Sequence, residues 1–402
     1  MIDRGAGAFG IRLLTGALTA TVCLAVFVLA LRLVGDRLRA AGLTLAALLG
    51  FLLAVSPRPL LMGAALLVVL IWVVEIPDSS LGRHAIVVIS AAIWIWANVH
   101  GTWILGIGYL ALHLVGRWSE GAVPWSGRER KILTGALIGS ALTLVNPYGW
   151  RLVVFPVTLL GRGSDLRRLG EWASPDFARL RGWAFAIWLT VFIVVIGRAV
   201  GARCASRRDF IVAIPFLLLA LFAVRNAALA PLVTLPIACR AVATSERRDD
   251  TSSRSPLALG FLSVLVLGML AVTTTAWFQS DFDFRRYPVA ALDEVESQGL
   301  IGRNLLTTDV VAGYLILEQW PQQRVFVDDR IDMYPPEVVD AYFALLDGTE
   351  DWQRALDDYE VEVVVWPSGG ALTQLLEESP RWQRAYVDDD TGVWVRREGS
   401  PG

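Results

Sequence analysis

Residues 257–278 read LALGFLSVLVLGMLAVTTTAWF and are followed at 279–286 by QSDFDFRR. The first stretch is 22 residues without a charge, long enough to cross a hydrocarbon core as a helix. Charges begin at Asp281, directly beyond it, and the composition on the two sides of that point differs in kind. Residues 1–280 carry 26 basic and 13 acidic side chains, a net of +13, whereas residues 281–402 carry 10 and 25, a net of −15. The formal charge of −2 over 402 residues hides this split, and 55% hydrophobic residues with a mean hydropathy of +0.52 are too apolar for an ordinary soluble protein. A single globular enzyme, a nucleic-acid binder and a disordered chain are all excluded. The reading predicts an α-helical polytopic membrane bundle over residues 1–280 and a small soluble α/β domain over residues 281–402.

Upstream, apolar runs at 11–34, 40–55, 60–75, 85–98, 102–116, 132–146, 183–199, 210–224, 227–239 and 257–278 give about ten candidate spans. No small-residue cleavage site follows the first, so it reads as a span and not as a removable signal peptide. Of the 36 basic residues only Lys131 is lysine, which points to arginine-biased coding. Clusters at Arg32, Arg37 and Arg39, at Arg117, Arg128, Arg130 and Lys131, at Arg198, Arg203, Arg207 and Arg208, and at Arg240, Arg247, Arg248 and Arg254 fall on one side if all ten spans cross. Positive loops face the cytoplasm, so the N-terminus and the acidic domain are expected outside. The loop at 161–181 is basic as well and stands on the opposite side from the rule. Cys23, Cys204 and Cys239 and the three histidines, His84, His100 and His113, have no metal-type spacing.

On the predicted outer side lie Arg58 between two prolines, the turn Trp96-Ala97-Asn98-Val99-His100-Gly101, and Asn146-Pro147-Tyr148-Gly149-Trp150. The segment Glu171-Trp172-Ala173-Ser174-Pro175-Asp176-Phe177 and the pair Arg225-Asn226 complete the set. Polar groups at membrane depth are costly and mark substrate paths, and Pro and Gly break helices there only where backbone faces protein or a wet cavity. Each also has a plainer reading. The Asn-Pro-Tyr-Gly run is a strong turn signal, and Trp96, Trp103, Trp150 and Trp172 suit an interfacial belt. Arg58 and Arg225 suit either snorkelling or anion binding, and His100 suits helix packing as well as proton transfer. Glu171 and Asp176 are the candidate general bases; solvated loop acids are the commoner case.

The order W-A-N-x-H-G, N-P-Y-G-W, E-W-x-S-P-D-F and R-N resembles a family of bacterial glycosyltransferase-like polytopic membrane proteins of the GT-C type. The run Val325-Phe326-Val327-Asp328-Asp329-Arg330-Ile331-Asp332-Met333-Tyr334 is similar to a segment near the end of members of that family. The resemblance covers residues 10–397. It implies sugar transfer from a polyprenyl-phosphate donor to a cell-envelope acceptor at the outer leaflet of the cell membrane. An acid would deprotonate the acceptor and an arginine would stabilise the leaving phosphate. The roles carried over are Glu171, His100 and Asp176 for catalysis, with Arg58, Asn98, Asn146, Tyr148, Trp172, Arg225 and Asn226 for substrate. Such proteins carry an acidic motif in a large outer loop after an initial span. This chain enters a span directly at Met1-Ile2-Asp3-Arg4, so that first span and its loop are expected to be missing, and the chain by itself is expected to be inactive.

The expected partners are membrane lipid and a lipid-linked sugar donor, with no nucleic acid, no cofactor and no metal site. A divalent cation has only the Asp-rich run at 328–332 to suggest it, where caps and turns explain the acids better. The oligomeric state is not readable. In the acidic domain the pattern predicts helices at 288–298, 309–319, 336–346, 350–358 and 370–378. Strands are predicted at Asn304–Thr307, Arg324–Val327, Val361–Trp366, 383–388 and 392–397. It contains no G-x-G-x-x-G, phosphate loop or nucleophile elbow. A non-catalytic membrane protein whose outer α/β domain binds a partner or glycan is the alternative reading. Transport fits less well, because no internal repeat is found.

Overall fold

The computed structural model describes residues 2–51, 58–161, 172–201, 205–244 and 283–397. Glu171, Cys204 and the run 257–278 lie outside the described residues. The chain divides into two compact units, Met1–Asp281 and Phe282–Gly402, the first helical and the second α/β.

The helical unit contains α1 (Ile2–Val34), α2 (Arg37–Phe51), α3 (Leu60–Glu75), α4 (Ser80–Arg83), α5 (Ala85–Val99), α6 (Trp103–Ser119), α7 (Gly127–Leu142) and α8 (Trp150–Leu160). These are followed by α9 (Leu180–Gly201), α10 (Arg207–Phe222), α11 (Val224–Ala227) and α12 (Ala230–Thr244). Among the described residues three stretches, Phe9–Val34, Gly182–Gly201 and Val224–Ala243, are long and apolar enough to cross a membrane. The unit is therefore a helical membrane part. Leu60–Glu75, Ala85–Val99 and Trp150–Leu159 are apolar but shorter. Helix α8 has no counterpart among the predicted spans, because the turn signal at 146–149 drew the boundary and Pro156 sits inside the run.

Small residues set the packing, as expected where lipid gives no hydrophobic drive between helices. On α7, Gly135 and Gly139 face α5. A Cβ at Gly135 would stand 3.0 Å from Ile89 Cβ, and one at Gly139 would stand 3.0 Å from Ile93 Cβ. Ser90 Oγ donates to the Gly135 carbonyl across the same contact at 3.0 Å. Trp96 fills a slot between Gly63 of α3 and Gly106 of α6, where added Cβ atoms would come within 2.5 and 2.6 Å of its ring. The expected interfacial belt therefore fails for two of its members: Trp96 is 0% and Trp103 2% exposed, both in the core, while Trp150 is 65% exposed.

At the ends opposite the α5–α6 turn, charge ties five helices together. Glu75 at the end of α3 accepts from Arg208 of α10 and from Arg240 of α12, the latter at 2.6 Å. Arg240 also reaches Asp209 at 2.5 Å. Arg117 of α6 bonds both Glu120 and Glu129 at 3.1 Å, and Glu120 accepts from the Arg208 backbone N–H at 3.0 Å. Gly116 makes this approach possible, since its missing Cβ would lie 2.7 Å from Arg208 Cα.

The α/β unit runs α13 (Val289–Ser297), β1 (Leu305–Thr307), α14 (Asp309–Gln319), α15 (Pro336–Asp347), α16 (Trp352–Asp358), β2 (Val363–Pro367), α17 (Ala371–Glu378), β3 (Trp382–Val387) and β4 (Thr391–Arg396). Its mixed sheet has the order β1-β2-β4-β3. β1 and β2 are parallel with Leu306 opposite Val364, and the β2–β4 and β4–β3 pairs are antiparallel. Val363 and Val365 pack into one core with Leu292, Leu305 and Leu315. Trp366, one residue on, meets the edge of the Tyr342 ring. Apolar cover on alternate residues explains the continuous run of the central strand. Helix α15 ends on Gly348 in the left-handed region (φ 63°), a conformation glycine adopts without steric cost.

The strand expected at Arg324–Val327 does not form. Gln323, 1% exposed, uses its side chain in place of a ladder: its Nε2 donates to the Arg303 and Arg324 carbonyls and its Oε1 accepts from Gly302 N–H at 2.8 Å. Asp328 then folds into a turn, accepting from the Arg330 backbone N–H at 3.0 Å and from its guanidinium Nε. Side-chain bonds to local backbone compete directly with sheet pairing. Asp328 is thus not at a strand's C-terminal end. Burial raises its carboxyl pKa, but the Arg330 hydrogen bonds outweigh that and hold it below the ordinary value.

Candidate functional site at the α5–α6 turn

Helix α5 ends at Val99 because His100 turns to extended backbone (φ −156°, ψ 140°). Its N–H still closes the helix on the Trp96 carbonyl at 2.9 Å. The imidazole then folds back over its own turn. Nδ1 accepts from the Thr102 backbone N–H at 3.2 Å and lies 2.8 Å from Thr102 Oγ1. Trp96 Nε1 donates to the same hydroxyl oxygen at 3.2 Å. A backbone N–H can only donate, so Nδ1 is the unprotonated nitrogen, and this pattern assigns the ring proton to Nε2. Among the described residues Nε2 has no hydrogen-bond partner. Burial, and then the positive charge of Arg225, push the imidazole pKa down to about 4. The ring is a neutral donor at physiological pH, a better group for holding an oxygen than for taking a proton.

Arg225 belongs to the single turn α11, inserted where α10 stops at the extended Ala223 (φ −147°). The Val224 N–H donates to the Ala173 carbonyl at 2.9 Å, which docks the segment from Trp172 onto the helix break. The Arg225 guanidinium carbon lies 4.4 Å from the Trp172 ring centroid, a cation–π contact. Asn226 Nδ2 donates at 3.4 Å to the Leu219 carbonyl, which also accepts from the Ala223 N–H at the end of α10. His100, Arg225 and Trp172 are thereby brought together, supported by Trp96 and Thr102. Trp96 and Thr102 both lie within the W-A-N-x-H-G-T stretch, but only the fold shows that they support the ring.

The remaining predicted residues do other things. Asn98 is exposed and its Nδ2 donates to the Trp94 carbonyl one turn back at 2.9 Å. Asn146 holds its own turn: Nδ2 donates to the Thr143 and Gly149 carbonyls at 2.6 and 3.1 Å, and Oδ1 accepts from the Tyr148 N–H at 2.6 Å. Tyr148 is 65% exposed. Asp176 pairs with Arg179 at 3.0 Å and accepts from the Ala178 N–H, on the surface. Arg58 is exposed at the start of α3. The α8 helix reaches the turn, with Phe155 3.7 Å from a Cβ built at Gly101. Among the described residues no group of three or more His, Cys, Asp or Glu stands close enough to hold a metal ion.

No protein-family model and no curated protein matches the chain. A solved structure of the archaeal oligosaccharyltransferase AglB from Archaeoglobus fulgidus, in complex with an inhibitory peptide and a dolichol-phosphate, is similar to 90% of it. The identity is 10% and the TM-score 0.47. This chain spans 58% of the length of that one, and at that score the likeness carries no activity across.

Proposed function

We propose that the chain is a multi-pass protein of the GT-C type that engages a polyprenyl-phosphate-linked sugar. The reaction is transfer of that sugar to a cell-envelope acceptor, at the bundle end that carries His100, Arg225 and Trp172. The observation that carries this reading is a neutral histidine donor held within the field of a guanidinium at a helix break. Arg225 is suited to grip phosphate oxygens, and the His100 Nε2–H to donate to one of them. Preorganised donors of this kind stabilise charge as it builds on a leaving phosphate. The order of the motifs along the chain supports the same reading. In the arginine-based topology this end faces outside, the ion-paired ends face the cytoplasm, about ten spans cross, and the α/β unit is extracytoplasmic.

Glu171, adjacent to Trp172 in the chain, is the general base in this scheme. The pairing of Asp176 with Arg179 leaves Asp176 less suited to that role and favours a second reading, in which the site binds donor without catalysis. Arg58, His100, Glu171 and Arg225 are to be replaced singly, and transfer from a radiolabelled polyprenyl-phosphate sugar measured in membrane vesicles. If the unmodified chain transfers sugar, Arg225→Gln and His100→Phe are expected to lower that transfer about a hundredfold, the cost of one lost oxyanion donor. Transfer that survives all four changes contradicts the assignment. Donor binding without transfer by the unmodified chain selects the second reading.

A further inference from the structure

The ion-paired ends of the bundle hold more donors than the chain itself satisfies. Glu75 and Asp209 are met by Arg208 and Arg240, and Glu120 and Glu129 by Arg117. Arg128, the second residue of α7, makes no ion pair among the described residues, and its Nε and Nη2 are buried without a partner. One turn apart on the same face of α6 stand Tyr109 and His113, each 1% exposed. The Tyr109 hydroxyl, both His113 ring nitrogens and Arg208 Nε are also buried and unpartnered. The charges of Arg128, Arg208, Arg240 and Glu75 act on Tyr109, and those of Arg128, Arg208, Arg117 and Arg240 act on His113. Four arginines, Arg117, Arg128, Arg208 and Arg240, stand against four carboxylates, Glu75, Glu120, Glu129 and Asp209, and of these arginines Arg128 alone makes no ion pair among the described residues. Buried polar groups are nearly always satisfied, and a buried cation calls for a counter-charge.

We propose that Arg128, Arg208, Tyr109 and His113 form a binding site for a phosphate-bearing anion at the arginine-rich end of the bundle. The site is separate from the His100–Arg225 turn and independent of its function. The guanidinium N–H groups, the phenol and one imidazole N–H are donors, and a phosphate oxyanion offers acceptor oxygens for them together with a charge opposite to that of Arg128. The phosphate comes either from an anionic lipid headgroup of that leaflet or from the aqueous phase.

The full chain in detergent is titrated with sodium phosphate against sodium chloride at matched ionic strength, following its melting by tryptophan fluorescence. It is also melted in vesicles of phosphatidylcholine with and without phosphatidylglycerol. Stabilisation by phosphate over chloride supports a soluble source, and stabilisation by phosphatidylglycerol alone supports the headgroup. Arg128→Gln is expected to weaken the response about ten- to hundredfold, the loss of a charge-assisted hydrogen bond. Arg130→Gln, an exposed arginine of the same helix, is expected to keep it. If Arg128→Gln does not fold, His113→Phe carries the same comparison. Equal stabilisation by chloride, no response to either source, or an equal loss in Arg130→Gln overturns the proposal.

Discussion

A histidine is usually the first group suspected of moving protons, and at His100 the hydrogen bonds argue otherwise. Its Nδ1 is held by the Thr102 backbone N–H, and burial and Arg225 keep the ring neutral down to about pH 4. The unfolded chain takes up a proton at the ordinary value near 6.5, and the folded chain does so only near 4. Between those values the unfolded state binds more protons, so stability falls as pH falls through that window. His100→Phe is expected to flatten this part of the stability profile, read as melting temperature against pH. Donor binding is expected to show no inflection between about pH 5 and 8, where an ordinary histidine titrates; an inflection near 6.5 would assign the ring to proton transfer.

Helix contacts here depend on absent side chains as much as on present ones. Gly135 and Gly139 let α7 lie against α5, and Gly139→Leu is expected to cost about 1–3 kcal/mol through overpacking. Gly108 of α6 has nothing within 4 Å of a built Cβ, and Gly108→Leu is expected to stay within about 0.5 kcal/mol. Denaturant midpoints in detergent measure both. Most elements were legible in the sequence, because apolar runs of helical length and the alternation in the α/β unit are long-range patterns. The strand expected at Arg324–Val327 was not, since one buried amide, Gln323, takes the backbone partners a ladder needs. Helix α8 was hidden by the turn before it and by Pro156. Trp96 and Trp103 suit a belt by sequence, but Gly63 and Gly106 open a slot for Trp96 and Trp103 is buried in the core. The clustering of His100, Arg225 and Trp172 is a matter of folding across more than 120 positions, which no local spacing encodes.

Across the whole chain the charge split acquires a physical sense. Arg117, Arg208 and Arg240 are consumed in ion pairs with Glu75, Glu120, Glu129 and Asp209, so the positive excess of residues 1–280 lies in the other basic side chains. The topology proposed above expects the −15 of residues 281–402 outside the cell. A single cysteine placed at the exposed Ser297, in a chain with Cys23, Cys204 and Cys239 removed, is expected to react with a membrane-impermeant maleimide in intact cells. Protection until the cells are permeabilised would reverse the orientation. In the proposed site the α5–α6 turn and the α10–α12 break together hold a lipid-linked phosphate. This is tested by the affinity of the purified full chain for a polyprenyl-phosphate sugar, with Arg225→Gln set against Arg151→Gln, an exposed arginine of α8. A loss of about tenfold or more confined to Arg225→Gln is predicted; equal affinity in both variants and the unmodified chain would contradict it.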